Sequence, residues 1–393
     1  MPSSWTSRQR VETALTHQEP DRIPISLTTT EKPYVRLREF LGLPPHTNLS
    51  PDRFGEVQPG VDLLSTLGVD ITFVKLGRPQ HWTAPSPLPD GSELDEWGVG
   101  RKWVQLPGGS SLYEVSYSPL AGIDPIDIDL DSYPWPDPHD PGRIDDLETQ
   151  ARRVYEETEL AIMGRFGGTI MEMAAFLRGF EQWMMDLLLY PDFARDLMNR
   201  IADIQIAMDE VGIRAAGRYL SIFKVSGEDL GMQDRPLFSE PTWQTLLRPI
   251  LRRRWHAARE ALDRNNATHV KLMLHSDGAI RQFIPDILED GIDVLDPVQH
   301  CPGMELEVLK RDFGHQLTFH GAIDTQYALP YGSEEEVSAE VIRSIHALGP
   351  GGGVILAPVH NVQADVPPQN IVTMCRTIHM YGRYPLQKPD SDT

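Results

Sequence analysis

Short apolar runs alternate with stretches of helical periodicity along most of this chain. The runs are RIPISL (Arg22 to Leu27), DITFVK (Asp70 to Lys75), LAIMGRF (Leu160 to Phe166), YLSIFKV (Tyr219 to Val225), HVKLML (His269 to Leu274), GIDVLDP (Gly291 to Pro297), QLTFHG (Gln316 to Gly321) and GGVILAP (Gly352 to Pro358). Strands alternating with helices imply parallel pairing through helical crossovers. Eight such units favour a (β/α)8 TIM barrel over an open doubly wound sheet. No phosphate-binding glycine fingerprint follows the first strand, which also weighs against a dinucleotide fold.

One region breaks the alternation. Residues 81–138 are rich in Pro, Gly, Trp and Tyr, and carry the alternating segments RKWVQLP and SLYEVSYSP separated by PGGSS. They read as an antiparallel β-hairpin insertion between the second and third barrel strands. The cluster YPWPDPHDP (Tyr133 to Pro141) closes it. Residues 1–393 are otherwise expected to form a single barrel domain, with a loose tail after Tyr384.

Composition narrows the partners. With 36 basic and 57 acidic residues the formal charge is -21, so a polyanion suits the bulk surface poorly and no nucleic acid is expected. The one dense basic run, Arg252-Arg253-Arg254, lies in a helical pattern and reads as a solvated face. No segment approaches the roughly 20 apolar residues of a membrane span, and the first thirty residues resemble no signal peptide. A soluble, cytoplasmic protein is expected. Of the two cysteines, Cys375 falls on the apolar stripe of Ile371, Met374 and Ile378, while Cys301 follows a strand-like run and has no evident role.

Candidate chemistry sits where the strands end. In (β/α)8 barrels the active site forms at the C-terminal ends of the strands. Here the third strand is followed by Gly167-Gly168-Thr169 and Glu172, and the fourth ends in Gly227-Glu228-Asp229. The fifth ends in His275-Ser276-Asp277-Gly278, and Asp296, Gln299 and His300 follow the sixth. His320 and Asp324 follow the seventh, and His360 and Asn361 the eighth. Each residue has a plain alternative, such as Glu228 and Asp229 capping a helix or His320 satisfied within the core. Their convergence on one rim is the signal. His275 and Asp277, two apart on an extended segment, point to the same side, and Gly278 permits a sharp turn.

These residues fall within longer matching stretches. SRQRVETALTHQEPDRIPI, GEDLGMQDRPLFSEPTWQTLLRP, HSDG, GIDVLDPVQ, FHGAID and GGVILAPVHNVQADVPPQN together resemble the uroporphyrinogen decarboxylase superfamily along nearly the whole chain. The resemblance implies a (β/α)8 barrel and either of two activities. The decarboxylase carries an R-Q-A-G-R loop after its first strand and an aspartate at the end of its second. Here TTTEKPYVRLREF and Leu76-Gly77 stand in those places, and Asp70 lies at the other end of its strand. A substrate with eight carboxylates needs cations to hold it, so these departures weaken that activity.

The cobalamin-linked methyltransferase branch looks closer. GEDLGMQ and HSDG resemble its D-D-L-G-T-Q and H-x-C-G segments, and its thiol-methylating members hold zinc with the histidine and cysteine of H-x-C and a distal cysteine. His275 matches the first ligand, while Asp277 and His360 stand where the two thiolates would be. The resemblance therefore implies a metal set of His275, Asp277 and His360. Two histidines and a carboxylate suit Zn²⁺, Fe²⁺ or another divalent metal, and a metal relieved of two thiolates is a stronger Lewis acid. The metal-free alternative keeps His275 and Asp277 as an acid/base pair.

The expected function is methyltransferase-type chemistry on a small methylated or hydroxylated substrate, with a corrinoid carried by a partner protein. The chain itself lacks the corrinoid-carrier motif D-x-H-x-x-G. His275, Asp277, His360, Glu228 and Asp229 are the expected catalytic residues, and Glu172, Gln299, His320, Asp324 and Asn361 the substrate-binding ones. Decarboxylation of uroporphyrinogen or another carboxylated ring is the alternative, and a non-enzymatic tetrapyrrole escort is a third. A homodimer is implied by the resemblance only.

Overall fold

The computed structural model describes residues 5–47, 49, 51–52, 55–105 and 111–387. Twelve strands are present among them: β1 (Thr29–Thr30), β2 (Glu56–Val57), β3 (Ile71–Lys75), β4 (Glu93–Leu94), β5 (Gly100–Gln105), β6 (Ser111–Tyr117), β7 (Ala161–Arg165), β8 (Ile222–Gly227), β9 (Lys271–His275), β10 (Val294–Val298), β11 (Thr318–Ile323) and β12 (Val354–Pro358). Seven form one parallel sheet in the order β12-β11-β10-β9-β8-β7-β3, with helices as crossovers. Each overlaps a run read as a strand from the sequence, and β8 to β11 continue one or two residues past the end of theirs.

The first run, RIPISL, closes the barrel without becoming a regular strand. Ile25 bridges Leu356 of β12 in parallel, Ser26 N donates to Leu356 O at 2.9 Å, and Asp70 N donates to Ile25 O at 2.8 Å on the β3 side. Pro24 has no N–H to give, and the Ile25 N–H is taken by the Asp70 carboxylate at 2.8 Å. The stave is therefore too sparsely bonded to extend its ladders.

The insertion is a three-stranded antiparallel sheet, β4-β5-β6, with Trp103 facing Tyr113 across the β5–β6 pair. Most of its PGGSS turn lies outside the described residues. The sheet docks on the helix Met171–Arg178, where Arg101 stacks over Phe176 and the buried Arg178 donates to the carbonyls of Leu120 and Ile123. A two-stranded ribbon, β1–β2, was not foreseen. It bonds to the loop after β12 through Thr30 N and Val362 O, 3.0 Å apart.

Two interior layers follow from the period-two alternation of the strands. The lower layer is apolar, comprising Ile71, Phe73, Ala161, Met163, Ile222, Met273, Val294 and Ile355, and is plugged by Val11 and Leu15 of the helix Ser7–Leu15. The run at Arg252 to Arg254 is only partly the solvated face expected of it. Arg252 and Arg253 are exposed, but Arg254 is fully buried, ion-paired to Asp209 at 2.8 Å and donating to Gly168 O. Asp209 in turn accepts from Gly167 N, so this pair shapes the rim loop after β7.

Asp70 anchors the lower end. Its fully buried carboxylate accepts from Arg10, Arg22 and Ile25 N. Removing one charge from such a cluster strands its partners in a dry environment. Asp70→Asn is expected to cost roughly 3–5 kcal/mol in urea denaturation. A loss of under about 1 kcal/mol, the scale of a surface pair, would contradict this role.

Candidate active site

Two residues further along the strands, the interior turns from apolar to ionic. Arg165 follows Met163, Lys224 follows Ile222, His275 follows Met273 and Asp296 follows Val294, with His320 beside them on β11. Buried charges persist only where they pair. Asp296 is the hub of this layer. Its Oδ2 accepts from Lys224 Nζ at 2.8 Å and His275 Nδ1 at 2.9 Å, and its Oδ1 accepts from His320 Nδ1 at 2.7 Å. Burial opposes its charge, but Lys224 and the two imidazoles hold its pKa well below the usual carboxylate range. An ionised carboxylate only accepts, so both Nδ1 atoms must carry hydrogens. Alongside, Arg165 forks onto the buried Glu56, which also accepts from Asn361 Nδ2 at 3.2 Å.

With Nδ1 committed to Asp296, the His275 Nε2 edge meets the rim. Asp277 Oδ2 lies 3.6 Å from it and Asp229 Oδ1 3.9 Å. Burial and the Lys224 charge push the His275 pKa down, but Asp277 and Asp296 outweigh them and raise it to about 10. Backbone contacts hold the two loops together: Asp277 N donates to Asp229 Oδ1 at 3.1 Å and Glu228 N to His275 O at 2.8 Å. Gly278, at φ 84, makes this junction possible, since a Cβ there would lie 2.7 Å from the Gly231 backbone.

Above the trio opens a cavity of about 270 Å³. It is lined by the amides of Gln233, Gln299, Gln326, Asn361 and Gln363, the carboxylates of Asp277, Asp324 and Asp365, and His360. No lysine or arginine lines it among the described residues.

The expected site residues divide by environment. His275, Asp277 and Asp229 converge, with one potential ligand atom from each lying within 4.8 Å of the others. His360 does not join that trio. It sits exposed in the bend beyond β12, lining the cavity with Asp277 and lowering the Asp277 pKa through its charge, after the larger effects of burial and His275. Asp229 takes the third place because the loops after β8 and β9 are bonded to each other.

Glu228 is engaged as a helix cap. It is fully buried, and its two oxygens accept from Ile170 N and Met171 N at 2.7 and 2.8 Å, capping the helix after β7. His320 is spent on Asp296, with Nε2 sealed and unpartnered. Asp324 lines the cavity, although its oxygens accept from Gln326, Tyr327 and Ala328 N–H groups. Glu172 Oε1 accepts from Asp229 N at 2.8 Å, while its Oε2 is sealed without a partner. Burial first, then the Asp229 charge, lifts its pKa to about 7.

Sequence reading passed over Lys224, Arg165, Glu56 and Gln233. The first two were visible as lone cations inside apolar strand runs.

Against this geometry, the profile of the family described as uroporphyrinogen decarboxylase (URO-D) matches residues 123–381, well over half of the chain. The chain belongs to the URO-D family. The barrel of this URO-D protein is similar to that of a methyltransferase from Methanosarcina mazei, at TM-score 0.65 and 15% identity over 96% of this chain and 99% of that one. At that identity the likeness concerns the fold. Weaker likenesses link it to the Penicillium canescens endo-1,4-beta-xylanase XylE (TM-score 0.34, 14% identity, 53% of this chain and 67% of that one) and xylanase B from Clostridium stercorarium F9 (0.35, 13%, 54% and 72%). No curated protein matches the sequence. No helix among the described residues is long and apolar enough to cross a membrane.

A divalent metal fits the rim of this URO-D protein. Ligand atoms about 2.1 Å from a tetrahedral ion stand roughly 3.4 Å apart, close to the 3.6 and 3.9 Å separations at His275 Nε2. The imidazole is already turned by a carboxylate on its other nitrogen, as in metal-bound histidines.

Because folding raises the Glu172 pKa from 4.5 to about 7, the stability this group contributes is full below 4.5 and is lost as pH rises through 7. With chelator present, the melting temperature of the wild type should fall relative to Glu172→Gln across that window. Parallel pH profiles for the two proteins would contradict the assignment.

Proposed function

We propose that this URO-D family protein is a methyltransferase-type enzyme acting on a small methylated or hydroxylated substrate. A divalent cation held by Asp229, His275 and Asp277 assists it, and a corrinoid on a separate protein gives or takes the methyl group. The observation that carries this reading is the His275 ring, fixed at Nδ1 by Asp296 with two carboxylates 3.6 and 3.9 Å from Nε2. When bound, the cation supplies Lewis acidity to a substrate oxygen, and three protein donors leave coordination positions free.

The chain's own residues do the rest. Asp296 holds the imidazole, Lys224 balances Asp296, and His320 steadies its other oxygen. Glu172, with a pKa of about 7 beside Asp229, holds or releases a proton at the rim near neutrality. His360 and the amides line the space the substrate occupies.

Decarboxylation of a polycarboxylated tetrapyrrole finds less support. Among the described residues the cavity presents carboxylates and no lysine or arginine, and Arg165 and Lys224 are committed to Glu56 and Asp296.

Elemental analysis of protein purified without an affinity tag and supplied with zinc should find about one ion per chain, falling below ~0.2 in His275→Ala and Asp277→Ala. Under 0.2 in the wild type would remove the metal from the account. With reduced cobalamin in solution as acceptor, demethylation of small methyl ethers should fall about 100-fold or more in His275→Ala and His360→Ala while circular dichroism stays native. Wild-type turnover by both variants would show the site to be elsewhere.

A further inference from the structure

The amides at the mouth carry a direction. Gly278 N donates to Gln299 Oε1 at 2.8 Å, and because a backbone N–H can only donate, the Gln299 amide has one orientation. Its Nε2 then donates to Gln233 Oε1 at 3.0 Å, and Gln326 Nε2 approaches the same oxygen at 3.4 Å. The acceptor of Gln233 is thus occupied from two sides. What Gln233 has left, at the cavity lining, is its pair of amide hydrogens.

The rest of the lining defines what can meet that donor. Asp277 and Asp365 add acceptors, and no lysine or arginine lines the space among the described residues. An anionic substrate would face the carboxylates of Asp277, Asp324 and Asp365 with His360 the single imidazole set among them. A cation would satisfy the carboxylates but could not accept from Gln233. A hydroxyl does both, accepting from an amide and donating to a carboxylate, and an ether oxygen serves the first role.

We propose that Gln233 is a specificity-determining residue whose amide nitrogen donates to an oxygen of a small, uncharged, hydroxyl- or ether-bearing substrate. This rests on the function proposed above for the location of the substrate; the donor assignment comes from the relay alone. Gln299 is the positioning residue, acting through Gln233. The arrangement selects against anions by charge and against cations by leaving the amide unpaired.

The test uses three probes of one shape, 2-methoxyethanol, methoxyacetate and 2-methoxyethylammonium, titrated into the full chain by calorimetry or ligand-observed NMR. The wild type should bind 2-methoxyethanol saturably and at least about tenfold more tightly than either charged probe. Gln233→Met, which keeps side-chain length but removes the donor, should weaken 2-methoxyethanol about tenfold. Gln299→Ala should weaken it less, and zinc affinity should not change in Gln233→Met. Unchanged affinity in Gln233→Met, a preference for either charged probe, or no saturable binding by the wild type would each overturn the proposal. Loss of zinc binding with probe discrimination intact would instead count against the metal reading alone.

Discussion

A carboxylate held inside a barrel by one ammonium and two imidazoles organises the polar half of this structure. Asp296 accepts from Lys224, His275 and His320 within 2.7–2.9 Å. Taking that charge out of water is costly unless every partner is in place, and the partners come from β8, β9 and β11, on both sides of β10. The hub therefore ties four adjacent strands together where the barrel opens. It also commits the Nδ1 edge of His275, which turns the other edge toward Asp277 and Asp229.

The two interior layers explain why the site stands where it does. The apolar layer of Ile71, Met163, Ile222, Met273 and their neighbours is plugged from below by Val11 and Leu15, so water and ligand reach the ionic layer from the other end. Each strand crosses from one layer to the next in two residues, and one sequence period thus sets both the core and the chemistry. Glu228 and the Arg254–Asp209 pair act one step further out, holding the rim loop after β7.

The barrel was legible because its strands are short, apolar and separated by helical stretches, and because a polar residue closes most of them. RIPISL was read as a strand yet forms only bridges, since a proline and a side-chain acceptor remove its donors from the ladder. Among candidate site residues, His275, Asp277 and Asp229 were singled out from their positions at strand ends, and their side chains converge. His360 was placed in the metal set by resemblance. Loop-to-loop hydrogen bonds between residues 48 apart, which decide that Asp229 takes its place, leave no mark on local pattern. Glu228 looked like its neighbour Asp229 in sequence, but consecutive residues beyond a strand end can face opposite ways, and here one caps a helix while the other meets the rim. Lys224 and Arg165 were hidden in plain view. A cation within an apolar run reads as a strand end until the strands on either side show what it balances.

If the hub orients His275 for a cation, its charge should matter to metal binding although Asp296 touches no metal. Zinc titration of Asp296→Asn against the wild type, with folding monitored by circular dichroism, tests this most directly. The account requires an affinity about 10–100-fold weaker in a folded variant. Equal affinity would mean that His275 needs no partner behind it, and the central claim would be wrong.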